Sequence, residues 1–89
     1  MARTLRQIVG ERVVMLRRRL GLTQPELALR AKMGITTLNR VENARSSMTM
    51  EKVVALAQVL GTSTDYLLGL SEDTGKAHED SEQLTAAVA

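Results

Sequence analysis

Apolar residues recur at three- and four-residue spacing through the first seventy positions, and no segment of useful length alternates as a strand would. The first such segment starts with Thr4 and Gln7, a hydroxyl followed three residues later by an amide, which is the form of a capping box. It ends at Gly21, and its apolar face consists of Val9, Val13, Leu16 and Leu20. The pattern predicts a first helix over about residues 5–20.

Two shorter helices are predicted next. Thr23 and Glu26 form a second capping box, and Pro25 stands in the first turn, where its missing N–H has no partner to lose. The second helix therefore covers about residues 24–31. Gly34 marks the boundary of a third helix over about residues 35–43, whose polar stripe consists of Thr36, Asn39, Arg40 and Asn43.

The remaining helix signals lie between positions 49 and 68. Thr49 can cap a fourth helix that ends at Gly61, and Ser63 can cap a short fifth helix that reaches Leu68. The apolar face of the fourth helix consists of Val53, Leu56, Ala57 and Leu60. The sequence thus predicts an all-α fold, a compact five-helix domain over residues 1–70.

Charge divides the chain where the helical pattern stops. Residues 1–70 contain eleven basic and five acidic side chains, a net charge of +6, whereas residues 71–89 have a net charge of −4. The second segment has no apolar periodicity, so we expect a disordered acidic tail. Tyr66 is the single aromatic residue, which argues against a fold that stacks single-stranded bases. Any nucleic-acid partner is therefore expected to be a duplex.

Composition excludes several classes of protein. The absence of cysteine rules out disulfides and a zinc finger, and it favours a reducing, cytoplasmic compartment. No apolar stretch is long enough to cross a membrane. The one histidine, His78, lies in the predicted tail with no fixed partner, so we expect neither an enzyme nor a metal centre. No cofactor is indicated, and from a length of 89 residues we expect no separate ligand-binding domain.

The second and third helices are joined by a turn of three or four residues, with the small Ala28 where they must approach closely, which is typical of a helix-turn-helix. Four motifs accompany this unit: Leu22-Thr23-Gln24-x-Glu26-Leu27-Ala28, Thr37-Leu38-x-Arg40-Val41-Glu42-Asn43, Leu56-Ala57-x-x-Leu60-Gly61 and Asp65-x-Leu67-Leu68. Together they resemble the XRE family, the phage repressor and Cro-type regulators, over about residues 8–69. The resemblance implies a repressor-like fold that binds DNA.

The resemblance also assigns roles to individual residues. Base-reading positions of the recognition helix fall on Ile35, Thr36 and Arg40, and Asn39 on the same face is a further candidate. Asn43 matches the family's phosphate-binding asparagine, and Arg45 and Ser46 in the following loop are candidates for contact with the sugar-phosphate backbone or the minor groove. Independently of the resemblance, the free N–H groups in the first turn of the second helix suit a phosphate, and the Gln24 amide can add a contact there. Glu42 is expected to pair with Arg17 as a structural ion pair.

Four positions depart from the family pattern. Lys32 and Ala44 stand where glycine is usual, and Gly34 replaces the usual Ser or Thr cap. The turn is therefore open to a shift of one residue. Leu29 stands where a polar residue is usual, and we expect it to be partly buried rather than a contact for a partner protein.

The function predicted from these features is sequence-specific binding of double-stranded DNA by a transcriptional regulator, most simply a repressor that occludes a promoter. We expect a homodimer on an inverted repeat, with Tyr66, Leu67 and Leu70 at the interface, because so short a last helix cannot bury all its apolar side chains in its own domain. The alternative is an antitoxin, which represses through the same domain and binds a toxin protein through the acidic tail.

Overall fold

The computed structural model describes residues 2–74 of the chain. Within that range the protein has five α-helices and no strand, which confirms the predicted all-α fold. The helices are α1 Leu5–Arg19, α2 Gln24–Arg30, α3 Ile35–Glu42, α4 Met50–Leu60 and α5 Thr64–Leu67. None of the helices in this part of the chain is long and apolar enough to span a membrane.

Side-chain caps set the starts of four helices. The Thr4 and Thr23 hydroxyls each accept a hydrogen bond from the backbone N–H three residues later. The Gln7 and Glu26 side chains in turn accept a bond from the backbone N–H of the cap residue. The hydroxyls of Thr49 and Ser63 cap α4 and α5 in the same way. These caps explain why the helix starts follow closely from the sequence.

The core is an apolar cluster that α1 organises, since α1 packs against α3, α4 and α5. Its six largest fully buried side chains are Val13, Leu27, Leu38, Val41, Leu56 and Leu67. Gly10 lies where α1 crosses the end of α3. A Cβ atom built there would come within 2.6 Å of the Val41 carbonyl oxygen and 2.9 Å of the Glu42 carbonyl oxygen. The missing side chain therefore permits direct backbone contact between α1 and α3.

Both α2 and α3 end in a Schellman motif whose left-handed residue is not glycine. Lys32 has a φ of +56° and Ala44 a φ of +60°. After α2, the N–H of Met33 donates to Ala28 and that of Lys32 to Leu29, and after α3 the matching bonds are Arg45 to Arg40 and Ala44 to Val41. The turn is not shifted, because these bonds fix it, although the conformation costs an L-residue about 1–2 kcal/mol.

Residues 71–74, which we call the strap, are bound to the domain. Arg12 donates from Nη1 to the carbonyl oxygens of Tyr66 and Ser71, at 2.7 Å each, and from Nη2 to Glu72 at 3.1 Å. The Thr62 hydroxyl donates to the Thr74 carbonyl oxygen at 2.7 Å. The disordered tail was expected to begin at residue 71, and this boundary is wrong, because residues 71–74 are bound to the domain. Residues 75–89, including His78, lie outside the described residues.

The structure also corrects two expectations about apolar side chains. Tyr66 and Leu67 are only 4% and 0% exposed, so they cannot form a dimer interface. The Tyr66 ring lies against the Arg12 guanidinium, 4.2 Å from the ring centroid, and Leu67 belongs to the core. Of the three residues proposed for the interface, only Leu70 is exposed, at 76%. Leu29, expected to be partly buried, is 80% exposed on α2.

Candidate nucleic-acid interface

Helices α2 and α3 form a rigid pair with one face of α3 turned outward. Ala28 is buried where the two helices meet, and α3 buries Leu38 and Val41 against the core. The opposite face of α3 is exposed and consists of Ile35, Thr36, Asn39, Arg40 and Asn43. The structure therefore places all four predicted base-reading residues on one exposed helical face.

This face has the chemistry of a reader of base edges. Arg40 forms no salt bridge to a carboxylate within residues 2–74, so its guanidinium is available for a bidentate pair with guanine O6 and N7. Thr36 combines a hydroxyl with a methyl group, and Ile35 offers apolar contact suited to a thymine methyl group. A single α-helix fits the B-DNA major groove, which is about 12 Å wide.

Asn43 and Asn39 contact each other at the end of α3. The Asn43 Nδ2 donates to the Asn39 carbonyl oxygen at 2.9 Å and to Asn39 Oδ1 at 3.3 Å. Asn43 is thus the C-cap residue of α3, and both side chains remain exposed. The loop continues with Arg45, which is exposed, and Ser46, which is half-buried. The predicted phosphate contacts therefore extend from the end of α3 into this loop.

Arg17, Glu42 and Gln24 form one hydrogen-bond network under the interface. Arg17 Nε lies 2.7 Å from Glu42 Oε2 and Arg17 Nη2 lies 3.1 Å from Glu42 Oε1, a bidentate pair. Gln24 Nε2 donates to Glu42 Oε1 at 2.7 Å. The Arg17 and Glu42 side chains are only 13% and 4% exposed. The network therefore links α1, α2 and α3 through bonds that are largely shielded from solvent.

This network changes the part that Gln24 can play. One N–H of its side-chain amide is already bonded to Glu42, Pro25 has no N–H, and the N–H of Glu26 is capped by Thr23. Within the first turn of α2, the Gln24 backbone N–H and the second N–H of its side-chain amide are the donors left for a phosphate. The pKa of Glu26 lies below its usual value because its carboxylate accepts the Thr23 backbone N–H and hydrogen-bonds the Thr23 hydroxyl.

Sequence reasoning missed Arg12 and the bond from Gln24 to Glu42. Arg12 had a usable signal, since it falls three residues after Val9 and four before Leu16, on the apolar face of α1. An arginine at such a position needs buried acceptors. The contact between Gln24 and Glu42 joins different helices and had no local signal.

No cluster of three metal-binding side chains occurs among the residues described by the structure.

Comparison with known proteins defines the class. A family of helix-turn-helix domains matches residues 8–70, so the chain belongs to the helix-turn-helix family. This match and the following relatives support the predicted XRE-like regulator that binds DNA. Members of this class are not enzymes, which agrees with the prediction from the sequence.

Three relatives illustrate the likeness. An uncharacterised HTH-type transcriptional regulator, y4dJ of Sinorhizobium fredii, is 34% identical over 70 residues, which cover 79% of this chain and 91% of that protein. The hypothetical transcription factor NHTF from Neisseria has a TM-score of 0.70 at 26% identity, covering 73% of this chain and 75% of that one. The clp gene regulator ClgR from Corynebacterium glutamicum has a TM-score of 0.71 at 25% identity, covering 96% of this chain and 83% of that one.

Proposed function

We propose that the protein is a sequence-specific transcriptional repressor of the XRE type, acting in the cytoplasm as a homodimer on an inverted-repeat operator. The observation that carries the proposal is the exposed face of α3, which the Arg17, Glu42 and Gln24 network holds at a fixed angle to α2. In this arrangement α3 enters the major groove and α2 crosses the sugar-phosphate backbone. Bound across a promoter, such a dimer excludes RNA polymerase.

The proposal divides the contacts into two kinds. Ile35, Thr36, Asn39 and Arg40 read bases, whereas Gln24, Asn43, Arg45 and Ser46 bind phosphate or sugar. Base contacts discriminate between sequences, and phosphate contacts raise affinity for every duplex. The two kinds can therefore be separated by measuring binding to an operator and to random DNA in parallel.

Arg40→Ala and Asn43→Ala test this division. Arg40→Ala should weaken operator binding by about 1–3 kcal/mol and relax preference at one base position, with little change on random DNA. Asn43→Ala should weaken binding to both duplexes alike. Fluorescence anisotropy at one fixed salt concentration gives both affinities. An equal loss on the two duplexes for Arg40→Ala would contradict its base-reading role.

For the dimer, we infer an interface that uses the exposed apolar residues at the start of α4 and Leu70. Met50 and Val54 are both exposed and lie four residues apart on one face of α4. Next to Val54, Val53 lines a pocket with Leu5, Leu68 and the α3–α4 loop at residues 46–48. A second copy is the proposed occupant, because a twofold dimer places two α3 helices on the same side of DNA.

Sedimentation of Leu70→Glu tests the interface against a matched control. Leu20→Glu introduces the same charge at another exposed leucine, at the end of α1. Leu70→Glu should shift the protein toward monomer and Leu20→Glu should not. The interface is wrong if both variants sediment like the parent, and dimeric binding itself is wrong if the parent occupies its operator as a monomer.

The antitoxin role stays an alternative prediction. It depends on residues 75–89, because the strap at 71–74 is already engaged by Arg12 and Thr62. Deletion from residue 75 keeps the strap and leaves operator binding nearly unchanged in a simple repressor. In an antitoxin the same deletion abolishes neutralisation of the toxin.

A further inference from the structure

The turn between α2 and α3 carries a charge that the domain itself does not use. Lys32 is exposed and adopts the left-handed conformation, with a φ of +56°. Its side chain forms no hydrogen bond and no salt bridge within residues 2–74. A residue with a Cβ atom is strained at this position, and glycine fits it without strain. Lys32 therefore adds strain to the turn, and its side chain makes no polar contact within residues 2–74 that would offset the strain.

Its place in the motif suggests what the charge contacts. In a docked helix-turn-helix, the first helix crosses the DNA backbone and the start of the second enters the major groove. Lys32 lies between these two parts, one residue after the C-cap of α2 and two residues before the N-cap of α3. Its flexible four-carbon stem presents an ammonium group that can approach a phosphate without a fixed geometry.

We propose that Lys32 binds a DNA phosphate at the edge of the groove that α3 enters. The inference rests on the proposed function and adds a backbone contact at a position where the family pattern has glycine. The contact is electrostatic and independent of base sequence. It neutralises one phosphate per subunit and releases the counterions condensed on it.

Ala44 supplies the matched control for strain. It occupies the corresponding position in the Schellman motif after α3, with a φ of +60°, but it has no charge. Lys32→Gly and Ala44→Gly therefore relieve the same kind of strain, and only the first removes an ammonium group. Both variants should melt a few degrees above the parent, because glycine adopts this conformation freely.

DNA binding should separate the two variants. For Lys32→Gly, the slope of log affinity against log salt should become shallower by about 0.9 per subunit. If the affinities converge at 1 M salt, each subunit's share corresponds to about 15-fold weaker binding at 50 mM and about 4-fold at 200 mM, so the dimer should lose about 220-fold and about 18-fold. The loss should be equal on operator and random duplexes. Ala44→Gly should retain the parental slope. Lys32→Arg should also retain it, because arginine keeps the positive charge.

Lys32→Asn guards against an effect of turn flexibility, because asparagine tolerates the left-handed conformation without a charge. It should show the same change of slope as Lys32→Gly. A parental slope in both variants would overturn the proposal. A parental slope overturns only the Lys32 contact when the parent still binds DNA and Arg40→Ala still alters its specificity. Failure of the parent to bind any duplex would instead overturn the proposed function.

Discussion

Gly10→Ala tests the contact that sets the position of the recognition helix. The added Cβ atom would lie 2.6 Å from the Val41 carbonyl oxygen, whereas ordinary contact begins near 3.4 Å. Both nearby oxygens belong to backbone, so no side chain can rotate away. The substitution must therefore separate α1 from the end of α3 by up to about 0.8 Å, the difference between these distances.

Two opposing terms set the size of the effect. Overpacking a well-packed contact costs about 1–3 kcal/mol, and replacing glycine with alanine inside a helix returns about 1 kcal/mol. We expect a net loss of up to about 2 kcal/mol, which lowers the melting temperature of a domain this size by about 4–8 °C per kcal/mol. Because Glu42 also carries the bonds to Arg17 and Gln24, DNA affinity should fall as well.

Urea denaturation and DNA titration measure the two effects. Gly34→Ala is the control for stability, since a Cβ atom there meets only the Thr37 hydroxyl, at 3.8 Å. Because Gly34 is the N-cap of α3, where alanine is poorer than glycine, that variant should lose up to about 1 kcal/mol from the cap, without a clash. If Gly10→Ala is more stable than the parent by the full helix-propensity gain of about 1 kcal/mol, the added methyl group meets no clash, and the close contact of α1 with α3 is refuted.

Three further predictions concern the polar contacts. Arg12→Ala should lower the free energy of unfolding by about 1–3 kcal/mol, because the Ser71 carbonyl oxygen loses its donor while the Tyr66 carbonyl oxygen keeps the Gly69 N–H. The exposed Glu72→Ala should cost under about 1 kcal/mol, and chemical denaturation compares the two variants. Glu42→Ala should cost about 3–5 kcal/mol, and an unchanged thermal midpoint would contradict a buried pair. The pKa of Glu26 is lowered in the folded state. The stability that its ionised carboxylate contributes is therefore present above the unfolded pKa and is lost as the pH falls through the folded pKa. Glu26→Gln should remove this pH dependence from an acid titration of folding monitored by circular dichroism.

The local part of the fold could be predicted from the sequence. Capping by Thr4, Thr23, Thr49 and Ser63 involves residues three apart, so the signals lie within a few positions of the helix starts they set. The alignment of the polar side chains on α3 follows from helical periodicity alone. For these features, sequence and structure agree within one or two residues.

Contacts between distant segments were beyond the sequence pattern. Tyr66 is covered by Arg12, more than fifty residues earlier, which bonds the Tyr66 carbonyl oxygen and lies against its ring, and Leu67 is buried in the core cluster. Gln24 and Glu42 meet across 18 residues, and no periodicity links them. The exposure of Leu29 likewise depends on which face of α2 the other helices leave open. Each of these outcomes required the packing of several helices at once.

The central claim is that the exposed face of α3 reads a DNA sequence. Repeated selection of bound duplexes from a random pool tests it most directly, with the parent and Arg40→Ala selected side by side. The parent should enrich one inverted repeat whose half-site centres lie about 34–36 Å apart, one turn of the DNA helix. Arg40→Ala should lose preference at one base position in each half-site. If the parent retains DNA but enriches no sequence, or if both proteins enrich the same motif unchanged, the claim is contradicted.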